Sequence, residues 1–274
     1  DYAMGHNRAN RMPLWVKPSK RVSPKEVFDA MRDHFEGTPM DMTRDLGAGG
    51  NGLPYRWRPM SFEVDGVEYV NERATATQQT GFWMVGQASR AAGDDLGILW
   101  FGVDDAATSC LTPIYCSIDR VPECLSEENG SMLSYSPTSM FWLFNRVTNF
   151  AYLRYNLMAA DLRRTADRWE NDALAEVRRV TAEARRLDGR ERIDFVTGYS
   201  VAKAQQLFEL WQRMDAYMLV KYIDGNVKVE SEPGKFKENG NGCGIPDEVL
   251  FPGYDEKWQR AVAADNGEIL KVVD

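Results

Sequence analysis

Asn71-Glu72-Arg73-Ala74-Thr75-Ala76-Thr77-Gln78-Gln79-Thr80-Gly81-Phe82-Trp83-Met84-Val85-Gly86-Gln87 is the stretch that decides how this chain is read. It is β-prone and closes on apolar residues, yet it carries one Arg, four amides and three Thr where a simple core strand takes aliphatics. A buried polar group without a partner costs ~1–3 kcal/mol. The stretch is therefore predicted to be a strand whose polar end serves a purpose.

Its neighbours extend a sheet. In residues 61–70, Phe62 and Val64 alternate with polar residues, Asp65-Gly66 supplies a type I′ turn, and Val67 and Tyr69 resume the alternation, which predicts a hairpin. Ile98-Leu99-Trp100-Phe101-Gly102-Val103 is a short apolar run bounded by Gly97 and Asp104-Asp105, as a buried central strand would be. Residues 108–118 are a further strand candidate. The strands follow one another without intervening helices, so the sheet is predicted to be mostly antiparallel, and a Rossmann arrangement is excluded.

Helices flank this block. Ser23-Pro24-Lys25-Glu26 reads as a capping box with Pro at the first helical position, opening a short helix that ends near Gly37, with His34 close to its C-terminus. Residues 140–155 are apolar nearly all round, which predicts a buried helix. Residues 161–187 are amphipathic, with Arg163, Arg164, Arg178, Arg179, Arg185 and Arg186 interleaved with acids as a solvated face. A third long helix, about 190–222, should stop at Asp224-Gly225-Asn226, with Gly225 as its cap. The remainder is rich in Gly, Pro and Asn and should wrap the surface before a short helix near 256–264. The fold class is α+β. It divides into a sheet-rich part with an N-terminal helix (1–135), a helical part (136–227) and a wrapping tail (228–274).

Composition narrows the function classes. A net charge of −8 argues against nucleic acid as the main partner. No apolar run approaches the roughly 18 residues needed to cross a bilayer, and the opening Asp1-Tyr2-Ala3-Met4-Gly5-His6 has no signal-peptide apolar core. The chain starts with Asp1 and not Met, and its first residues read as a loop, so a fragment or processed subunit is expected. Cys110, Cys116, Cys124 and Cys243 form neither a CxxC pair nor a disulfide scaffold, and free buried thiols are expected. The glycines at 47, 49, 50 and 52 lack the P-loop pattern, so residues 38–59 read as a wrapping loop fixed by Trp57, Arg56 and Arg58. With two histidines in all, His6 and His34, a Ser-His-Asp triad and His-rich metal sites are poorly supplied, and no metal or other cofactor is expected. Asp104-Asp105 is predicted to make a turn or structural hydrogen bonds, because adjacent strand residues point to opposite faces.

Ordered motifs add a resemblance. They are Trp15-Val16-Lys17-Pro18, Met31-Arg32-Asp33-His34-Phe35-Glu36-Gly37-Thr38-Pro39, Tyr55-Arg56-Trp57-Arg58-Pro59, Asn71-Glu72-Arg73-Ala74 with Thr77-Gln78-Gln79-Thr80-Gly81, and Leu99-Trp100-Phe101-Gly102-Val103-Asp104-Asp105. Pro113-Ile114-Tyr115-Cys116, Val121-Pro122-Glu123, Tyr222-Ile223-Asp224-Gly225-Asn226-Val227 and Glu238-Asn239-Gly240-Asn241-Gly242 follow. Together they resemble the C-terminal half of the dipeptidase A-type cysteine peptidases of the Ntn (N-terminal nucleophile) hydrolase superfamily.

The resemblance implies part of an αββα sandwich and a hydrolase of dipeptides. Its nucleophile would be a cysteine at a mature N-terminus, whose own α-amine, titrating near ~8, acts as base. That cysteine is not in this chain. The implied partners are a dipeptide substrate and a nucleophile-bearing half, either of the same protein or a separate chain; on this reading the chain alone is inactive. By analogy Arg73 supports substrate or thiolate, with a structural salt bridge as the alternative. Gln78, Gln79 and Thr80 would orient substrate, with inter-strand contacts as the alternative. Cys110 and Cys116 have no base to activate them. A non-catalytic helical binding or assembly module is the competing reading. Dipeptide preference and compartment stay open, and a homo-oligomer is compatible with either reading.

Overall fold

The structure, a computed structural model, describes residues 2, 6–88 and 94–273; the expectation built on Asp1 lies outside them. Helix α1 (Pro24–Ala30) starts at the expected capping box: Ser23 accepts from the Glu26 amide while Glu26 reaches back to the Ser23 amide at 2.8 Å. It ends earlier than predicted. Asp33 Oδ1 accepts from the Phe35 amide at 3.0 Å and Phe35 takes φ +64°, so an Asx turn replaces the last helical turn.

Strands β1 (Ser61–Val64) and β2 (Val67–Val70) form the predicted hairpin, with Asp65 and Gly66 both at positive φ as a type I′ turn requires. The main sheet is antiparallel, in the order β3 (Phe82–Gln87), β4 (Ile98–Val103), β5 (Thr112–Tyr115). The strand predicted over 71–87 is thus confined to its apolar end. Residues 71–81 are loop because Thr77 captures the Gln79 amide through its hydroxyl (3.1 Å) and the Thr80 amide through its carbonyl (3.1 Å). Such a local turn competes with strand pairing. Likewise the 108–118 candidate shrinks to β5, since Asp105 gathers the Ala107 amide and the Thr108 hydroxyl into a turn.

Cross-strand pairing of Val85 with Trp100 and of Ile98 with Tyr115 puts these side chains on one face with Trp83. That face packs against Phe28 of α1, Ala173 and Val177 of α3 (Tyr155–Ala184) and Val196 of α4 (Gly189–Tyr222). The second core lies among α2 (Met140–Tyr152), α3 and α4, where Phe144 and Trp211 stack with ring centroids 4.3 Å apart. The other sheet face carries Phe82, Met84, Leu99, Phe101 and Ile114, of which Phe82 and Met84 stay 60% and 54% exposed.

The predicted helix over 140–155 breaks at Leu153-Arg154 and leaves Leu153 exposed. Arg154 leaves helical geometry to donate to the Gly225 carbonyl and, at 2.6 Å, to the Pro252 carbonyl, which holds the tail. Helix α4 ends on Ile223, with Gly225 at φ +72° in the turn beyond it. Further on come short pairings of β6 (Val227–Lys228) with β9 (Val249–Leu250) and of β7 (Glu230–Glu232) with β8 (Lys235–Phe236), then α5 (Glu256–Asn266). Helix α5 lies over the glycine loop: a Cβ on Gly50 would collide with the Tyr254 ring, so a glycine is needed there.

Candidate active-site wall

The loop 71–81 brings the four sequence-predicted site residues together but uses them differently. Arg73 is exposed, and its Nη2 donates to Gln79 Oε1 at 2.8 Å; it makes no ion pair among the described residues, so the salt-bridge alternative is not realised. Gln78 turns inward, and its Nε2 donates to the Arg56 carbonyl at 2.7 Å, a structural bond. Thr80 is half-buried and closes the Thr77 turn through its backbone. A guanidinium held by one amide on an exposed loop can still swing onto a carboxylate or polarised carbonyl.

Beneath this loop runs a strip anchored by Arg56. Its guanidinium grips Asp45, the N-cap of the glycine turn, and lies 3.6 Å from Glu72, whose carboxyl is pushed up by burial and by the nearby Asp45 charge. Gly47 admits this side chain, since a Cβ there would collide with the Arg56 guanidinium. Next to it opens a cavity of about 330 Å³, lined by Gly47, Gly49, Tyr55, Trp57, Asn71 and Tyr152 among others. Asn71 is fixed at its rim by donating to the Pro59 carbonyl at 2.6 Å. The glycine loop therefore shapes a wall and lacks the strand-to-helix cradle of a phosphate site.

The floor is a buried polar network that sequence reasoning missed. Asp105 Oδ2 accepts from the Tyr55 hydroxyl, from Tyr152 at 3.1 Å and from Thr108 at 3.3 Å. His34, expected at a helix end, is instead buried, with Nε2 3.0 Å from the Tyr55 hydroxyl and Nδ1 3.1 Å from Glu36. Burial and the Asp105 charge raise Tyr55, Tyr152 and Tyr155 far above the ordinary phenol range, so all three stay protonated, and Tyr55 and Tyr152 donate to Asp105. Asp104, at φ +65°, accepts from Asn145 at 3.0 Å through Oδ1, while its buried Oδ2 has no partner among the described residues. Burial pushes its carboxyl up to about 6. The turn predicted for Asp104-Asp105 is thus present. Its backbone also ties the floor to the wall, as the Asp104 amide donates to the Gly81 carbonyl at 2.9 Å. The signal in the sequence is two adjacent acids after a buried strand; the tyrosines that meet them carry no local pattern.

This assembly can bind and orient a polar substrate but offers no activated nucleophile among the described residues. Cys110 and Cys124 are buried; burial drives the Cys110 thiol well up and the Cys124 thiol to about 11, which disfavours thiolate. Cys116 and Cys243, expected to be buried, are exposed. No group of three or more His, Cys, Asp or Glu able to hold a metal occurs among the described residues.

No curated protein matches the chain. The model of peptidase family C69 matches residues 2–168, a span that takes in α1, the glycine loop, the 71–81 loop, the whole sheet and Asp105. Because the match covers more than half of the 274 residues, the chain belongs to peptidase family C69, the dipeptidase A-type cysteine peptidases.

Proposed function

We propose that this chain is the C-terminal portion of an Ntn cysteine peptidase that hydrolyses dipeptides, and that the nucleophile sits on a further polypeptide segment. That segment docks on the part of the second face of the β3–β4–β5 sheet exposed at Phe82 and Met84, beside Phe101, which packs against the helical core. One observation carries the reading. The face with Phe82, Met84, Leu99, Phe101 and Ile114 is apolar, stays open at Phe82 and Met84, and adjoins β3, a strand paired on one side only among the described residues. An apolar sheet face with a free edge is stabilised by a second layer. In an αββα sandwich that layer is a second sheet, and a cysteine on it would face the 71–81 loop at the end of β3.

The division of labour follows from the chemistry. The missing base is the α-amine of the N-terminal cysteine itself, which titrates near ~8 and can take the thiol proton without a histidine. Arg73, with Gln79 holding its guanidinium, supplies positive charge for the dipeptide carboxylate or the thiolate. Thr80 and the outer part of the loop offer hydrogen bonds to the peptide backbone. Gln78 acts one step removed, by tying the loop to the Arg56 carbonyl.

The test is the native protein's intact mass and N-terminal sequence, with dipeptide hydrolysis measured on this chain alone and after co-expression with a cysteine-bearing segment. Hydrolysis that appears only with a partner starting at Cys supports the proposal. A native 31.1 kDa species lacking any such partner would overturn it, as would dipeptidase activity of this chain by itself.

A further inference from the structure

A second cavity lies among the helices and takes no lining residue from the 71–81 loop. It has a volume of about 780 Å³, is bounded by α3, α4 and the β7–β8 hairpin, and shares no lining residue with the cavity at Tyr55. Its size falls within the range of small-ligand sites. Trp169, Leu210 and Met214 give it an apolar floor, and Trp169 is held there by donating from Nε1 to the Leu111 carbonyl at 3.0 Å.

The charges around that floor fall into two sets. One set is internally satisfied: Lys221 Nζ reaches Asp161 and Glu230 at 2.8 Å each, Arg164 pairs with Asp161, and Glu232 takes Lys235 at 2.6 Å. Arg168, Arg213 and Asp172 form the other set. They line the same cavity, are solvent-exposed, and make neither an ion pair nor a side-chain hydrogen bond among the described residues. Arg168 and Asp172 are four residues apart on α3, with the cation N-terminal to the acid, which is the less favourable order for pairing along a helix.

We infer that this cavity binds a short zwitterionic peptide with apolar side chains, its carboxylate on Arg168 and Arg213, its ammonium on Asp172, and a side chain on Trp169, Leu210 and Met214. The spacing supports that class. Four residues of helix rise about 6 Å, close to the reach of an extended dipeptide between its two charged ends. Two guanidiniums lining one cavity from separate helices suit a carboxylate, which can accept from both. The site is independent of the catalytic reading, because it uses none of the residues assigned to the cavity wall.

Isothermal titration of this chain with Leu-Leu, N-acetyl-Leu-Leu and Leu-Leu-amide tests the inference. Wild-type chain is expected to bind Leu-Leu, and to bind each blocked peptide at least tenfold more weakly. The Arg168→Ala/Arg213→Ala double variant should weaken Leu-Leu at least tenfold. Asp172→Asn should weaken Leu-Leu while leaving N-acetyl-Leu-Leu unchanged. All three positions are exposed, so an unchanged melting temperature verifies the fold, and charge-preserving Arg168→Lys/Arg213→Lys should recover part of the affinity. No heat with Leu-Leu raised to about 10 mM, well above a Kd of ~1 mM, overturns the inference. Binding that survives the Arg168/Arg213 double variant, or that is abolished by Arg73→Ala, overturns it too, the latter by placing the peptide on the 71–81 loop.

Discussion

The hydroxyl of Tyr55 donates to the carboxylate of Asp105, and through this bond the segment under the 71–81 loop is fastened to the turn that ends β4. The same hydroxyl lies 3.0 Å from His34 Nε2, so one buried phenol joins three segments. Tyr55→Phe keeps the ring but leaves a buried carboxylate with three donors in place of four. Removing a partner from a buried charged acceptor costs ~1–3 kcal/mol. Urea denaturation should show a loss of that size, and Tyr152→Phe, which takes away the longer 3.1 Å bond, should lose less.

Asp104 sets a pH dependence with an unusual sign for a carboxylate. Burial raises its carboxyl from about 3.8 to about 6, so the native state holds this proton more tightly than the unfolded chain does. Between about pH 4 and pH 6 the folded form therefore binds more protons at this site, and its contribution to stability falls as pH rises. A difference of that size between the folded and unfolded states corresponds to roughly 3 kcal/mol. Asn in this place still accepts from Asn145 and tolerates the left-handed backbone. Stability measured by urea midpoints from about pH 4 to about pH 7.5, taken as the difference between wild type and Asp104→Asn, should move steadily in favour of the variant up to about pH 6 and level off above it. A difference that is flat with pH would show that Asp104 ionises at its ordinary value.

The parts of the fold legible in the sequence are those specified within a few residues. The capping box at Ser23, the Asp65-Gly66 turn and the bounded apolar run of β4 each carry their whole cause locally. Residues 71–81 mislead because their polarity looks like that of a functional strand, whereas Thr77 folds them back and Gln78 is spoken for by a carbonyl from the preceding loop. Of the floor of the site, only the Asp104-Asp105 turn is legible in the sequence; the network that meets it is not. His34, Tyr55, Asp105 and Tyr152 come from four segments, and no periodicity links them. The break after α2 is hidden for the same reason: Arg154 leaves the helix for carbonyls that lie far along the chain. The resemblance points to the loop with Arg73, but only the structure separates Gln78, which is tied to the Arg56 carbonyl, from Arg73, which is exposed and held, among the described residues, only by Gln79 of its own loop.

The buried pair of Arg32 and Glu170 should behave as a structural clamp. Arg32 Nη2 and Nη1 lie 2.5 and 3.1 Å from the carboxylate, Nε donates to the Ala106 carbonyl at 2.8 Å, and the guanidinium stacks 4.7 Å over the Trp83 ring. Glu170 also accepts from the Leu111 amide at 3.1 Å, so the pair joins the segment after α1, α3 and the β4–β5 connection. Among the described residues, removing one partner leaves Glu170 with only Lys25 as a cation, at 3.4 Å, or Arg32 with only Asp29 as an anion, at 3.7 Å, and breaking such a buried pair costs ~3–5 kcal/mol. Arg32→Ala and Glu170→Ala should each lose stability in that range. The double variant Arg32→Met/Glu170→Leu should lose less than the sum, which thermal unfolding of the four proteins measures directly.

Arg73 is the residue whose substitution separates function from folding. Its exposed side chain makes one hydrogen bond, to Gln79, so Arg73→Ala should change the urea midpoint of this chain by no more than about 0.5 kcal/mol, the usual range for such surface sites. If Arg73 has the role proposed for it, the same change in the assembled peptidase removes a charged hydrogen bond to substrate or thiolate, worth ~1.5–3 kcal/mol, and dipeptide turnover should fall about 10- to 100-fold. Arg73→Lys keeps the charge without the planar fork and should recover part of that loss. Gln79→Ala frees the guanidinium without removing it, so its effect should be smaller and fall mainly on KM, as expected of a residue that positions Arg73. Wild-type kcat/KM in the Arg73→Ala enzyme would exclude this side chain from the site, and would move the search to the Tyr55 cavity and its rim at Asn71.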